Sequence, residues 1–162
     1  MARLAVLYAL DDEQIMQLKD LPEDERYDYM LEEIEDELFG TSRCCELDKA
    51  WEGIQYCLCG GEWSEDNSVP ANIVFGGEFL ADNDEDVMTL KSKEDVRNIV
   101  EYLRSNDLKE IIRKNFSRIE ADNFQYKDEN GLNHALEWSE DILPFYENAM
   151  KEGLQVIFTV DL

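Results

Sequence analysis

Hydrophobic positions in the first quarter of the chain predict one strand followed by two helices. The segment Arg3–Tyr8 is short and apolar, which is typical of a buried strand. A short helix then carries Ile15 and Leu18 on its apolar face. Pro22 begins a longer helix that ends at Gly40. The apolar residues of this longer helix recur at helical spacing, at Tyr27, Met30, Leu31, Ile34 and Leu38.

The middle of the chain predicts a helix and two extended segments. Asp48 is placed to cap the helix, and the glycine pair at 60–61 is expected to end it. The apolar face of this helix comprises Trp51, Ile54 and Leu58. Residues 71–80 favour extended structure with a turn or bulge at the glycine pair 76–77. Residues 87–90 are predicted to form a short strand.

The remaining pattern predicts three helices and a closing strand. Residues 92–95 resemble a capping box, and Asn106 is placed to cap the following helix. The apolar stripes of these two helices are Val96, Ile99, Val100 and Leu103, then Leu108, Ile111, Ile112 and Phe116. A linker at 126–131 leads to the last helix, where Pro144 either lies near its start or kinks it. Residues 154–160 predict a well-buried strand.

These elements predict one domain over residues 1–162, of the α+β class. A length of 162 residues with 44% hydrophobic residues is enough to bury a core without disulfides or metal. Strands stand at both ends of the chain and helices lie between them. We therefore expect several amphipathic helices packed on a small sheet that includes the N- and C-terminal strands.

Charge changes the picture of what the domain can bind. Lys and Arg number 15 and Asp and Glu number 39, so the net charge is 15 − 39 = −24 at pH 7. This charge repels nucleic acid and anionic membranes and attracts basic proteins. Solubility alone is the competing interpretation. No apolar run reaches the ~20 residues of a membrane span, and the first residues do not resemble a signal peptide, so we expect a cytoplasmic protein.

The four cysteines favour reduced thiols over a metal site. Cys44 and Cys45 are adjacent, and Cys57 and Cys59 are separated by one residue, whereas structural zinc uses wider C-x-x-C spacings. His134 is the single histidine. A four-cysteine zinc site is the alternative. No P-loop, G-x-G-x-x-G or G-x-S-x-G sequence is present, so we expect no metal, no cofactor and no catalytic residue.

Acidic residues concentrate on the predicted helix that begins at Pro22. The acids in its second half are Glu32, Glu33, Glu35, Asp36 and Glu37. Like charges at helical spacing repel one another and cost some helix stability. An arrangement with that cost favours a surface that docks into a basic cleft. An ordinary solvated helix face is the simpler alternative.

A second candidate site lies around Trp51. An aromatic residue preceded by two charged residues can line a pocket, and a glycine pair followed by an acid can form an anion-binding turn. The candidate pocket residues are Asp48, Lys49, Trp51, Gly76, Gly77 and Glu78. The competing interpretation is a capped helix that buries its tryptophan, with a simple turn at the glycine pair.

Four segments resemble the YfbM-like family of small bacterial proteins. They are LDKAWEGIQYCLCGG at 47–61, IVFGGEFL at 73–80, EDVRNIVEYL at 94–103 and LPFYENAMKEGLQVIFTV at 143–160. Their order and spacing extend the resemblance over nearly the whole chain, and residues 21–45 are the least characteristic part. The resemblance implies an α+β fold with helices around a small sheet, and it implies no catalytic residues.

Together these features favour a binding protein over an enzyme. The leading hypothesis is an immunity-type inhibitor whose acidic surface blocks a basic toxin domain, by analogy with bacterial proteins of similar size. The alternative is a small-molecule-binding protein or weak enzyme that uses the candidate pocket near Trp51 and the glycine pair at 76–77.

Overall fold

The computed structural model describes residues 4–120, 122, 124 and 126–161. Its centre is a five-stranded antiparallel sheet in the order β2-β1-β5-β4-β3. The strands are β1 Ala5–Leu10, β2 Cys44–Asp48, β3 Glu78–Asp82, β4 Asp86–Lys91 and β5 Gln155–Asp161. The two terminal strands pair from Ala5 opposite Val160 to Leu10 opposite Gln155. The predicted α+β class, with both terminal strands in one sheet, is therefore confirmed. The first strand begins later than predicted, and Arg3 lies outside the described residues.

Helices cover both faces of the sheet. They are α1 Asp12–Asp20, α2 Glu23–Tyr29, α3 Glu35–Leu38, α4 Trp51–Leu58, α5 Lys93–Ser105, α6 Leu108–Asn115, α7 Glu129–Trp138 and α8 Ile142–Glu152. A π-helical turn at Met30–Ile34 joins α2 to α3 without a break. In the interior strand β1, Leu7 and Ala9 face the core formed with α4 to α8. Tyr8 and Leu10 face the second core, formed with α1 to α3.

Local capping signals explain where several helices begin. The capping box predicted at 92–95 is present, because Ser92 accepts from the backbone N–H of Asp95 and the Asp95 carboxylate accepts from the N–H of Ser92. Helix α8 begins before Pro144, so the proline lies in the first turn and the helix needs no kink. Within the described residues, no helix is long and apolar enough to cross a bilayer.

Several local predictions were wrong. Asp48 does not cap α4; it ends β2 with a φ of 51°, and its carboxylate accepts from the backbone N–H of Lys49. Helix α7 occupies part of the predicted linker and extends beyond it. Asp107, and not Asn106, caps α6. Leu31 is 42% exposed, because the π turn shifts the buried face of the helix away from it.

The predicted extended structure at 71–80 is also wrong over its first half. Residues 70–77 form a largely buried segment in which a 3-10 turn at Pro70–Asn72 leads into irregular structure at 73–77, and β3 begins only at Glu78. Buried backbone groups outside a helix or sheet need other hydrogen-bond partners. Four buried side chains supply donors to consecutive or nearby carbonyls of this segment: Gln55 to Ala71, Tyr146 to Ile73, Lys91 to Val74 and Thr89 to Phe75. These contacts explain how an apolar run can be buried without being a strand.

Candidate functional site

The strongest candidate surface is the acidic helix, which we define as the continuous helix of residues 23–38. Glu32, Glu33, Asp36 and Glu37 are exposed, and Glu35 is half-buried. Among the residues that the structure describes, none of these five carboxylates forms an ion pair or a side-chain hydrogen bond. The acids predicted from the sequence therefore lie on one element and are free to meet a partner.

The basic residue of the acidic helix does not neutralise these acids. Arg26 donates from Nη1 to the carbonyl of Leu80 at 2.7 Å, and from Nε and Nη2 to the carbonyls of Leu21 and Lys19, each at 3.1 Å. The Leu80 carbonyl belongs to the edge strand β3, so Arg26 ties the helix to the sheet. Its donors are directed at backbone oxygens, so Arg26 forms no ion pair with the acids from Glu32 to Glu37.

Two large apolar side chains are exposed on or beside the same helix. Leu31 is 42% exposed within the π turn, and Phe39, directly after the helix, is 57% exposed. Exposed apolar residues bordered by charge are common anchors in protein interfaces. The acidic helix therefore combines long-range attraction for cations with apolar contact area.

The residues of the candidate pocket are placed in different surroundings. Trp51 is 4% exposed and packs in an aromatic cluster with Trp63, Phe75 and Phe158. That burial matches the structural interpretation of the tryptophan. The glycine pair lies in close backbone contacts: a Cβ on Gly76 would collide with Asn72 and Ala71, and Gly77 has a φ of 138°.

The remaining pocket residues fall at two separate depressions. Gly77 and Glu78 line one of them, together with Asn67 and Asp95. Glu78 is also held by Lys19, whose Nζ lies 3.4 Å from its carboxylate. Lys49 lines the other, a cleft of about 270 Å³ between the β2–α4 turn and the start of α7.

The sequence does not predict the cleft at α7 as a unit, because the predicted linker at 126–131 includes the start of this helix. Its floor is apolar and includes Ala50, Phe124 and Ala135, all buried. Its polar rim is formed by Lys49, Tyr126, Asp128, Asn130 and His134. Beside the rim, His134 Nε2 lies 3.8 Å from Asp48 Oδ1, which places the single histidine next to the strained residue that ends β2.

The cysteines are placed as separate thiols. Cys44 and Cys45 are consecutive in β2 and contribute to the two opposite cores, so they cannot share one metal ion. Burial raises the pKa of Cys44 to about 11 and those of Cys45 and Cys57 to about 12. Within the described part of the chain, no group of three or more His, Cys, Asp or Glu side chains is arranged to hold a metal.

The burial of one charged residue, Lys91, is not predicted by the sequence pattern. Lys91 ends β4 with 0% exposure, and its ammonium donates to the Val74 carbonyl and to Thr89 Oγ1. The ammonium also lies 5.1 Å from the centroid of the Phe158 ring. Burial lowers the pKa of Lys91 well below 10.5. The side chain fixes the segment 70–77 and lines none of the depressions described above.

The structure is an α+β protein whose sheet is covered by helices on both faces. The acidic helix lies on one side of the sheet and the small cleft lies on the other. The chain belongs to the family described as domain of unknown function DUF1877, whose family model matches residues 1–159. The crystal structure of YfbM from Escherichia coli, a protein of unknown function, is similar, with a TM-score of 0.67. The alignment covers 98% of this chain and 99% of that chain at 20% identity, which shows a common fold. The resemblance to the YfbM-like family is confirmed. No curated protein matches the chain.

Proposed function

We propose that this protein is a non-enzymatic, immunity-type inhibitor that binds the basic surface of a toxin domain through its acidic helix. The observation that carries the proposal is the set of unpaired carboxylates at Glu32, Glu33, Glu35, Asp36 and Glu37 on one exposed helix. A toxin domain that handles nucleic acid or nucleotides presents a basic cleft for an anionic substrate. An acidic helix can occupy that cleft in place of the substrate.

The charge of the whole chain supports the same partner. A net charge of −24 attracts a basic protein from a distance and speeds the first encounter. The same field opposes nucleic acid and anionic lipid, which excludes both as partners in this proposal. We place the protein in the cytoplasm, where an inhibitor of this kind meets a toxin that acts on intracellular substrates.

The apolar residues supply the short-range part of the interface. Charged contacts at a rim set the association rate, whereas buried apolar or aromatic anchors hold the complex together. Phe39 and Leu31 are exposed beside the acids and fit this second role. The π turn at 30–34 rotates Leu31 towards solvent, and π turns inside α-helices are frequent at functional sites.

The test is binding to a candidate toxin, the product of the adjacent gene, measured across salt with two matched variants. The first variant neutralises Glu32→Gln, Glu33→Gln, Asp36→Asn and Glu37→Gln. The control neutralises four exposed acids away from the acidic helix: Glu101→Gln, Glu110→Gln, Glu120→Gln and Glu137→Gln. Both variants change the net charge by the same amount, so only the place of the charge differs.

We expect the first variant to associate about tenfold more slowly or worse at low salt, and the control to keep most of the rate. Phe39→Ser is expected to raise the dissociation rate with little effect on association. Equal losses in the two charge variants would mean that net charge alone acts. Absence of binding by the wild-type protein at every ionic strength would remove the toxin partner from the proposal.

A further inference from the structure

The cleft at α7 lies on the opposite side of the sheet from the acidic helix. Its floor residues belong to the core formed with α4 to α8, whereas the buried residues of the acidic helix belong to the other core. The two surfaces are therefore separate, and what the cleft binds does not depend on the function proposed above.

Close backbone approaches shape the cleft. A Cβ on Gly131 would collide with the backbone carbonyl of Tyr126, so only glycine lets the segment before α7 fold back on the helix. A Cβ on Gly53 would lie 3.0 Å from the ring of Phe124, so this glycine lets the same segment approach α4. These contacts hold Phe124 and Tyr126 edge to face, with ring centroids 5.7 Å apart. The two rings form an aromatic wall of the cleft, with Phe124 buried and Tyr126 partly exposed.

The carboxylates at the cleft already have partners. Asp128 caps α7 and accepts from the backbone N–H of Gly131 at 2.7 Å. Asp48 accepts from the backbone N–H of Lys49 at 2.6 Å and lies beside His134. Neither acid needs a ligand to satisfy it.

The donors at the cleft, in contrast, lack acceptors. Among the described residues, the Lys49 ammonium and the Asn130 amide form no hydrogen bond or ion pair, and both side chains are exposed. An unpaired cation and an amide donor around an apolar floor fit a ligand that has an anionic acceptor on an aromatic ring.

We propose that the cleft between the β2–α4 turn and α7 is a binding site for a small aromatic carboxylate. The ring packs against Phe124 and Tyr126 over the floor of Ala50 and Ala135, and the carboxylate meets Lys49. A volume of about 270 Å³ limits the ligand to one or two rings. His134 lies at the rim beside the bound ring.

The single histidine provides a site-specific readout. Because His134 is the only histidine in the chain, its imidazole Cε1–H proton gives one resolved signal in the NMR spectrum of the unlabelled protein. Benzoate and indole-3-carboxylate serve as probes. Benzamide and benzamidine serve as neutral and cationic controls with the same ring. We expect the His134 signal to shift saturably with the two carboxylates and to move little with the two controls.

The variants assign the contacts. Lys49→Gln keeps most of the side chain but removes its charge, and we expect it to weaken carboxylate binding at least about tenfold. Tyr126→Ala is expected to weaken the larger probe more than benzoate. Lys151→Gln, at an exposed lysine near the end of α8, is the matched control and keeps full affinity. The variant with four neutralised acids on the acidic helix also keeps full affinity, so this test succeeds or fails separately from toxin binding.

Three results would overturn the proposal. The first is a His134 signal that does not saturate with either carboxylate. The second is benzamidine binding as well as benzoate, which would make the cleft a site for cations or for rings in general. The third is an unchanged affinity in Lys49→Gln, whose exposed side chain can be replaced without disturbing the core.

Discussion

The buried Lys91 makes the stability of the fold depend on pH in a way that one substitution can isolate. Its ammonium is fully buried, and no carboxylate of a described residue forms an ion pair with it. Its contacts are the Val74 carbonyl, Thr89 Oγ1 at 2.7 Å and the face of Phe158. Burial favours the neutral amine, so the pKa of Lys91 in the folded protein lies well below its ordinary value of 10.5.

The direction in which stability changes with pH follows from the pKa of Lys91 in the folded and in the unfolded state. Between the folded-state pKa of Lys91 and 10.5, the unfolded chain binds one proton more than the folded protein. The free energy of unfolding therefore rises with pH across this window, by up to about 1.4 kcal/mol per pH unit. Below the window, both states are protonated and the destabilising contribution of Lys91 is fully present and constant. Above 10.5 both are neutral and the contribution has disappeared.

Lys91→Met removes the titrating group but keeps a long side chain that fills the site. Urea unfolding of both proteins from about pH 6.5 to about pH 9.5 gives their difference in the free energy of unfolding at each pH. We expect the stability of the wild type relative to Lys91→Met to rise with pH in the window above. The thiols of Cys45 and Cys57, with pKa values of about 12, lower stability above pH 9.0, but they are present in both proteins and cancel in the difference.

The change with pH in the difference between the two free energies of unfolding is a better test than the difference at any single pH. Lys91→Met leaves the buried Val74 carbonyl without its donor, which costs about 1–3 kcal/mol, while it also removes the cost of burying an ammonium. These contributions oppose each other but only the second changes with pH. Lys49→Met is the control, because an exposed ammonium is hydrated in both states. A flat difference for Lys91→Met across the whole range would refute the reasoning.

Three further predictions concern packing and thiol chemistry. Gly131→Ala should destabilise the protein by about 1–3 kcal/mol in urea unfolding, because its methyl group would collide with the backbone of Tyr126. Gly40→Ala has open space but a φ of 79°, so it should show only the smaller cost of placing alanine in the left-handed region. Tyr146→Phe removes the hydroxyl that donates to the buried carbonyl of Ile73 and should cost about 1–3 kcal/mol in the same assay. Cys45 and Cys57 should react with a thiol reagent only as the protein unfolds, so rapid native-state labelling of all four thiols would contradict their burial.

The sequence predicts those parts of the fold that depend on local pattern. The terminal strands are short apolar runs, and the stripe of α5 repeats at helical spacing behind its capping box. Helix α7 also has local signals in the sequence: Asp128 caps its start, and Ala135 is its buried residue. Gly131 lies in this helix, and because glycine disfavours helices the sequence pattern predicts a linker there. The structural reason for the glycine is its close contact with the carbonyl of Tyr126.

Other features depend on contacts between distant parts of the chain. The apolar run that includes Val74 has the pattern of a strand, and it becomes an irregular buried segment because Lys91, Gln55 and Tyr146 satisfy its carbonyls from elsewhere. Lysine at a strand end usually indicates solvent, so its burial has no local signature. The residues of the candidate pocket are separated for the same reason: Trp51 packs in the core, whereas the neighbouring Lys49 remains exposed.

The sheet explains how this small fold can present two separate surfaces. It is buried on both faces, so the acidic helix and the cleft at α7 rest on different cores that share only the strands. Exposed substitutions on the acidic helix leave the buried residues Met30, Ile34 and Leu38 in place, and those residues attach the helix to the sheet. The charge pattern of this surface can therefore vary without changing the fold. The cleft is different: Gly53 and Gly131 shape it through backbone contacts, so its form is tied to the fold itself. The proposed partner surface and the proposed ligand site are thus separable, and each can be lost without the other.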